Sequence, residues 1–128
     1  MVGGHARLRL GSDIVGVLRS RRQRAGRYVV VHVRRTPAEA AGAARVAVIA
    51  SRRRVGNAVA RNRAKRLLRE AARHTPITSG VDVVLVAREE AVTASMDEIR
   101  GELVSLAEHL EILGTSTGGP AAASAGAA

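Results

Sequence analysis

Three runs of apolar, mostly β-branched residues predict β-strands. Residues 27–35 read RYVVVHVRR between Gly26 and Thr36-Pro37, and residues 45–50 read RVAVIA. Residues 81–87 read VDVVLVA, a nearly continuous apolar run. Runs of this kind bounded by turn residues are typical of strands, and a continuous run is typical of a strand covered on both faces. We therefore predict at least three strands, with both faces of the last one buried.

Apolar residues at helical spacing predict a helix near each end of the chain. From Ser12, a candidate N-cap, they recur to about Ser20. Ser95 and Glu98 have the spacing of a capping box, and Gly114 is a candidate C-cap. Between them runs one apolar stripe, which predicts packing onto the core. The stripe comprises Ile99, Leu103, Leu106, Leu110 and Leu113.

Residues 56–74 predict an amphipathic helix with a cationic polar face, ended by Thr75-Pro76. At about 100° per residue the sequence separates into two faces. The apolar face holds Ala60, Ala64, Leu67, Leu68 and Ala71. The other face holds Ala58, Arg61, Asn62, Lys65, Arg66, Arg69 and Arg73, with Arg63 at the border. Like charges four residues apart repel by about 0.2–0.5 kcal/mol per pair, so a single-sign face favours an anionic partner over a merely solvated surface.

The order of these elements predicts an α/β sandwich, with helices packed on a small sheet. We assign residues 1–113 to one domain that begins with an extended basic arm, and residues 114–128 to a disordered tail of Ala, Gly and Ser. The chain has no Phe or Trp and one tyrosine, Tyr28, so the core must be aliphatic. We expect a cytoplasmic protein, because the sequence lacks cysteine, an apolar run long enough for a membrane span and a recognisable signal peptide.

The charge is distributed very unevenly along the chain. Residues 1–75 hold 19 of the 21 Lys and Arg against Asp13, Glu39 and Glu70, whereas residues 76–128 hold two arginines and eight acids. A strongly positive face of this kind predicts a polyphosphate partner. Three consecutive arginines, Arg52, Arg53 and Arg54, precede the basic helix. Gly56 allows a sharp turn there, at which backbone N–H groups and the arginines could hold a phosphate.

The sequence offers no catalytic or metal-binding constellation. The four histidines are scattered and there is no cysteine, which argues against a zinc finger. The basic half lacks the clustered carboxylates that a protein-only nuclease needs to hold metal ions. With one tyrosine, the chain also lacks the stacking aromatics of common single-strand RNA readers. If this protein serves an enzyme, the chemistry lies elsewhere.

Residues 55–73, VGNAVARNRAKRLLREAAR, resemble the signature helix of the bacterial ribonuclease P protein component. Within them, Arg61-Asn62-Arg63 is similar to the RNR motif of that family. The segments ARLRLGSD and GVDVVLVARE resemble its opening arm and its last strand, so the likeness covers about residues 6–113.

The resemblance implies a two-layer α-β-β-β-α-β-α sandwich like the second domain of ribosomal protein S5, with a left-handed βαβ crossover through the basic helix. A third strand is then needed before that helix, which implies a break within residues 27–50. The resemblance also implies a monomeric subunit that binds the catalytic ribonuclease P RNA and the 5′ leader of precursor tRNA. Hydrolysis would belong to Mg²⁺ held mainly by that RNA, with no cofactor bound to the protein.

The resemblance assigns RNA-binding positions in three groups, with no catalytic residue and no metal ligand. The helix group is Arg61, Asn62, Arg63, Lys65, Arg66, Arg69 and Arg73. The loop group is Arg52, Arg53, Arg54, Gly56 and Asn57, of which two arginines match the basic pair of the family. The arm and leader-cleft group is Arg7, Arg9, Ile14, Leu18, Tyr28, Val29 and His32. The family typically has aromatic residues in the cleft, whereas this chain has mainly aliphatic ones.

Two other readings of the basic helix remain open. A structural ribosomal protein would share the fold and the charge, and it would co-sediment with ribosomal subunits without affecting tRNA processing. A general nucleoid or RNA-chaperone protein would not distinguish ribonuclease P RNA from random duplex.

Overall fold

A computed structural model describes residues 5–9, 11–40 and 42–114, with the exception of the side chains of Ala40 and Arg54. The β-strands are β1 (Ala6–Arg7), β2 (Arg22–Ala25), β3 (Val29–Arg35), β4 (Arg45–Ile49) and β5 (Val81–Ala87). The α-helices are α1 (Gly11–Leu18), α2 (Arg52–Val55), α3 (Ala58–Arg73) and α4 (Met96–His109). Short 3₁₀ turns lie at Ala38–Ala40 and Glu89–Thr93. The assigned tail lies outside the described residues apart from Gly114.

The five strands form one sheet in the order β1-β4-β5-β3-β2. β4 and β5 are parallel neighbours joined through α3, so the predicted βαβ crossover unit is present, and the predicted α/β class is confirmed. Three strands precede the basic helix, in addition to the two-residue β1. The resemblance requires one strand more than the two that the sequence predicts directly, and this strand is β2. Because β2 lies before residue 27, the expected break within residues 27–50 was wrong. β2 reads RQRA and all four of its residues are exposed, so it lacks the alternation of apolar and polar residues by which strands are predicted.

Helices cover both faces of the sheet. On one face, α3 and α4 pack over the main core, to which β3 contributes Val29, Val31 and Val33. On the other face, α1 covers a smaller cluster that includes Val17 and Val84. Because β5 runs through the middle of the sheet, nearly all of its residues are buried, as its continuous apolar pattern predicts.

The last helix begins as predicted but ends earlier. Ser95 and Glu98 form a reciprocal capping box at the start of α4. At the end, Glu111 N–H donates to Glu108 O, and Ile112 N–H donates to Ala107 O, a Schellman pattern. Glu111 has a φ of 60° and occupies the position that glycine usually takes. The assignment of Gly114 as the C-cap was therefore wrong, because the chain has already left the helix.

Glu102 of α4 holds the turn between β2 and β3. Its carboxylate accepts hydrogen bonds from the backbone N–H groups of Arg27, Tyr28 and Val29 at 2.7–3.0 Å. We expect Glu102→Ala to lower the free energy of unfolding by about 1–3 kcal/mol, because these donors would lose their acceptor. Urea unfolding followed by circular dichroism would measure the loss. Glu108→Ala, which removes an exposed carboxylate from the same helix, is the control and should change stability by less than about 0.5 kcal/mol. An equal loss in both variants would contradict this role of Glu102.

Candidate RNA-binding surface

The basic helix has the two faces that its sequence predicts. Ala64, Leu68 and Ala71 are buried against the core, while Asn62, Arg63, Arg66, Arg69 and Arg73 are exposed and Arg61 and Lys65 are half-buried. Burial of the alanine and leucine face fixes the orientation of the helix, so the cations must face outward.

Residues 52–57 set the start of this helix. The arginine run folds into the short helix α2, in which Arg52 and Arg53 are exposed, and the side chain of Arg54 lies outside the described part of the structure. Gly56 has a φ of +74° and supplies the predicted sharp turn between α2 and α3. Asn57 is the N-cap of α3, and its side-chain oxygen accepts from Ala60 N–H at 2.8 Å. The structure thus gives Asn57 a local capping contact in addition to its predicted RNA-binding role.

Three of the predicted cations also make contacts within the protein. Arg61 donates to Gly56 O at 2.6 Å, and Arg63 donates to Val92 O at 2.8 Å. Arg73 pairs with Glu70 at 2.8 Å. The hydrogen bonds from Arg73 and then His74 lower the pKa of Glu70. Asn62, Lys65, Arg66 and Arg69 make no hydrogen bond or ion pair to any described residue. They form the unpaired centre of the cationic face.

The N-terminal arm and the end of α3 border one groove of about 510 Å³. Strand β1 of the arm pairs in parallel with β4. His5, just before β1, contacts the end of α3, because its Nε2 donates to Ala72 O at 3.0 Å. Burial lowers the pKa of His5. Arg7, Arg9, Arg69 and Arg73 line the groove over an apolar floor that includes Leu8 and Ile14. The structure therefore brings to one groove two pairs of arginines that are at least 60 residues apart in the sequence.

The predicted leader cleft corresponds to the sheet face beneath α1. Ile14 packs there, and Leu18 at the end of α1 is 37% exposed. His32 lies opposite Val84 in the register of β3 and β5, which places it on the same face. Its Nδ1 is buried without a hydrogen-bond partner among the described residues, and burial lowers the pKa of His32.

Tyr28 and Val29 do not share this face, so their assignment to the cleft was wrong. Val29 is fully buried in the core beneath α4, and Tyr28 packs against the same core. The half-buried residues that do line the α1 face are Val30, Ile49 and Val86. The alternation of side chains along a strand could have identified Val30, because it is two positions from His32. Ile49 and Val86 could be found only from the pairing of the strands.

A buried ionic cluster ties α1 to the sheet. Asp82 of β5 is fully buried and accepts from Arg34 Nε at 3.0 Å, from Thr36 Oγ1 at 2.8 Å and from two nitrogens of Arg45 at 2.8 Å. Asp13 of α1 bridges the same two arginines, at 3.1 Å from Arg34 and 3.6 Å from Arg45. Neither acid was predicted to have this role. The cluster positions the start of α1 and therefore one end of the cleft.

Among the described residues, no group of three His, Cys, Asp or Glu side chains could hold a metal ion. None of the described helices is both long and apolar enough to cross a bilayer.

A ribonuclease P family model matches residues 3–111 of this chain. Curated relatives carry the name ribonuclease P protein component. The relative from Acidothermus cellulolyticus is 38% identical over 104 residues, which cover 80% of this chain and 85% of the relative. The relative from Symbiobacterium thermophilum is 37% identical over 70% of this chain and 76% of its own length. The match to the relative from Dehalococcoides mccartyi, at 44% identity, spans only 57% of that protein.

Solved structures of ribonuclease P proteins share the fold. The protein from Thermotoga maritima has a TM-score of 0.66 and 26% identity, and the alignment covers 78% of this chain and 93% of that one. The protein from Staphylococcus aureus has a TM-score of 0.70 over 84% of this chain and 97% of that one, at 24% identity. Because the family model spans most of the sequence and the fold agrees, the chain belongs to the ribonuclease P protein family.

Proposed function

We propose that this chain is the RNA-binding protein subunit of bacterial ribonuclease P, which assists the catalytic RNA in removing the 5′ leader of precursor tRNA. The observation that carries the proposal is the cationic face of α3, which belongs to an RNR-type helix of a ribonuclease P family chain. On this face Asn62, Lys65, Arg66 and Arg69 make no hydrogen bond or ion pair to any residue that the structure describes. Such a face binds phosphates without reading sequence, because guanidinium and ammonium groups contact the backbone of the nucleic acid.

In this proposal the α3 face binds the catalytic RNA and the α1 face of the sheet holds the leader. The cleft offers Ile14, Leu18, Val30 and His32, so apolar contact and the imidazole would replace the stacking aromatics typical of the family. The arginine-lined groove beside the arm adds cations near the end of α3.

The hydrolytic step is assigned to Mg²⁺ held by the catalytic RNA. The described residues do not offer a cluster of ligands that fits a metal ion, so no step is assigned to an ion held by the protein. The protein would act by binding and orienting RNA, as a monomer in the holoenzyme and in the cytoplasm. Neutralisation of phosphates by its arginines would reduce the Mg²⁺ concentration that the RNA needs.

The test is cleavage of a precursor tRNA by a bacterial ribonuclease P RNA at low Mg²⁺, with and without this protein. We expect cleavage at the mature 5′ end only in the presence of protein, because the protein neutralises phosphates that otherwise require Mg²⁺. Protein without RNA is the control for a contaminating nuclease, and RNA alone at high Mg²⁺ shows that the RNA is active. Tight RNA binding without stimulation of cleavage would contradict the proposal and favour a ribosomal role.

A further inference from the structure

A second group of exposed arginines lies at the opposite edge of the sheet from the arm. Five arginines occur within residues 19–27, with no acid among them, at the turns flanking β2 and within this strand. We call these residues the β2-edge cluster. Its members are Arg19, Arg21, Arg22, Arg24 and Arg27, and all are exposed.

Like the α3 face, the β2-edge cluster presents exposed cations, most of which have no partner among the described residues. None of its members has a carboxylate within 4.0 Å among the described residues. Arg22 donates to Leu110 O, and Arg27 lies 5.7 Å from the ring centre of Tyr28. Arg19, Arg21 and Arg24 make no hydrogen bond or ion pair to any described residue. Like charges repel each other, so exposed arginines without a paired carboxylate among the described residues are best explained by an anionic partner.

The cluster lies where the floor of the cleft ends. In the antiparallel pairing of β2 and β3, Gln23 lies opposite His32 and Ala25 lies opposite Val30. Residues opposite each other point to the same face, so Gln23 and Ala25 extend the floor by one strand, about 4.8 Å.

Arg21 is two positions from Gln23 and therefore lies on the cleft face, close in sequence to Arg19 at the end of α1. Arg22 and Arg24 lie opposite Val33 and Val31 and therefore point to the α4 face. β2 is the last strand of the sheet, so an RNA strand that crosses the floor in this direction meets Arg19 and Arg21 next.

Acidic residues separate the β2-edge cluster from the α3 face on the other side of the sheet. α4 packs over β2 and β3 and exposes Asp97, Glu98 and Glu108, whereas α3 packs over β4 and β5. An RNA segment bound to α3 would meet these carboxylates before it reached the cluster along this side. The two cationic surfaces are therefore suited to different RNA segments.

We propose that the cleft-side members of the β2-edge cluster, Arg19 and Arg21, bind the phosphates of the precursor leader after the strand has crossed the cleft. This assignment rests on the proposed function, because it takes the occupant of the cleft to be single-stranded leader RNA. The cluster then makes affinity depend on leader length. Nucleotides within the cleft contact its floor, and only a longer leader reaches the arginines.

The test compares wild-type holoenzyme with holoenzyme that contains Arg19→Gln and Arg21→Gln, on precursors whose leaders grow by one nucleotide at a time. Glutamine keeps much of the side-chain length and removes the charge. We expect wild-type affinity to rise with leader length and the double variant to lose roughly tenfold on the longest leaders. On the shortest leaders the two should agree within about twofold. On long leaders, the slope of log affinity against log salt concentration should be smaller in magnitude by about 1.4 in the variant. This is the change expected when two phosphate contacts to a single strand are lost.

Arg35→Gln with Arg100→Gln is the matched control, because both arginines are exposed and lie outside the two cationic surfaces. Arg19→Lys with Arg21→Lys keeps the charge and should keep most of the length dependence. An equal loss on all leader lengths, the same loss in the control pair, or weaker binding to ribonuclease P RNA alone would overturn the assignment. Failure of the wild-type holoenzyme to cleave or to bind any precursor would instead refute the proposed function.

Discussion

Asp82→Asn is expected to lower the free energy of unfolding by about 3 kcal/mol. Asp82 is fully buried and accepts four hydrogen bonds from Arg34, Thr36 and Arg45. The amide would remove the negative charge and present N–H donors to the two guanidinium groups. Breaking a buried ion pair on one side costs about 3–5 kcal/mol, and the lower end applies because the side chains of Arg34 and Arg45 keep 22% and 20% exposure to water.

The pH dependence follows from the direction of the Asp82 pKa shift. Burial alone would raise the pKa of this carboxyl, but the hydrogen bonds from Arg45, Thr36 and Arg34 and the charge of Arg45 outweigh burial and lower it. A carboxyl with a lowered pKa in the folded state stabilises the fold fully above its unfolded pKa, about 3.9. That contribution is lost as the pH falls through the folded pKa. The difference between wild type and Asp82→Asn should therefore be constant from about pH 5 to 8 and shrink below about pH 4.

Urea unfolding at several pH values, followed by circular dichroism, measures both effects, and a thermal scan should show a midpoint at least about 12 °C lower. Glu108→Gln removes one negative charge from an exposed side chain and should stay within about 0.5 kcal/mol of wild type. A loss below about 1 kcal/mol for Asp82→Asn would show that the ionic cluster does not hold α1 and the sheet together.

Strands and helices whose buried residues recur at a regular spacing can be predicted from the sequence. A strand that is defined only by its hydrogen bonds to a neighbouring strand cannot. β3, β5 and the buried face of α3 are all visible as apolar patterns. β2 has no buried residue, and its hydrogen bonds to β3 define it as a strand. Asp82 looks like an interruption of an apolar run until β3 and β4 bring Arg34 and Arg45 beside it. The local spacing of apolar and polar residues carries no information on contacts between residues that are distant in sequence.

The candidate site also has one part that the sequence predicts and one part that it does not. The cationic face of α3 depends only on helical geometry, so the wheel places its residues correctly. The cleft depends on which face each strand residue occupies, and a shift of one residue moves a side chain to the opposite face. That shift explains why Val29 was assigned to the cleft although Val30 lies there.

Arg61→Ala with Arg66→Ala is expected to weaken binding to ribonuclease P RNA by about 10- to 100-fold. Both side chains lie on the cationic face of α3, and Arg66 makes no hydrogen bond or ion pair with another described residue. Each lost phosphate contact lowers the slope of log affinity against log salt by about 0.9 on duplex RNA, if duplex RNA behaves like B-form DNA, so the double variant should lose about 1.8. Titrations at several salt concentrations would measure the affinity and the slope together.

The single variant Arg66→Ala separates a loss of RNA contacts from a local structural change at Arg61. Arg61 also donates to Gly56 O, so its loss could loosen the turn before the helix. Arg66→Ala alone removes no such bond, and it should lower the slope by about half of the full change. Arg35→Ala with Arg100→Ala removes the same charge from exposed positions outside the helix and should leave the slope nearly unchanged. If the slope stayed at the wild-type value in both α3 variants, the part of the face around Arg61 and Arg66 would lie outside the RNA interface. The exposed arginines of α2, Arg52 and Arg53, and those of the arm, Arg7 and Arg9, would then be the next positions to test.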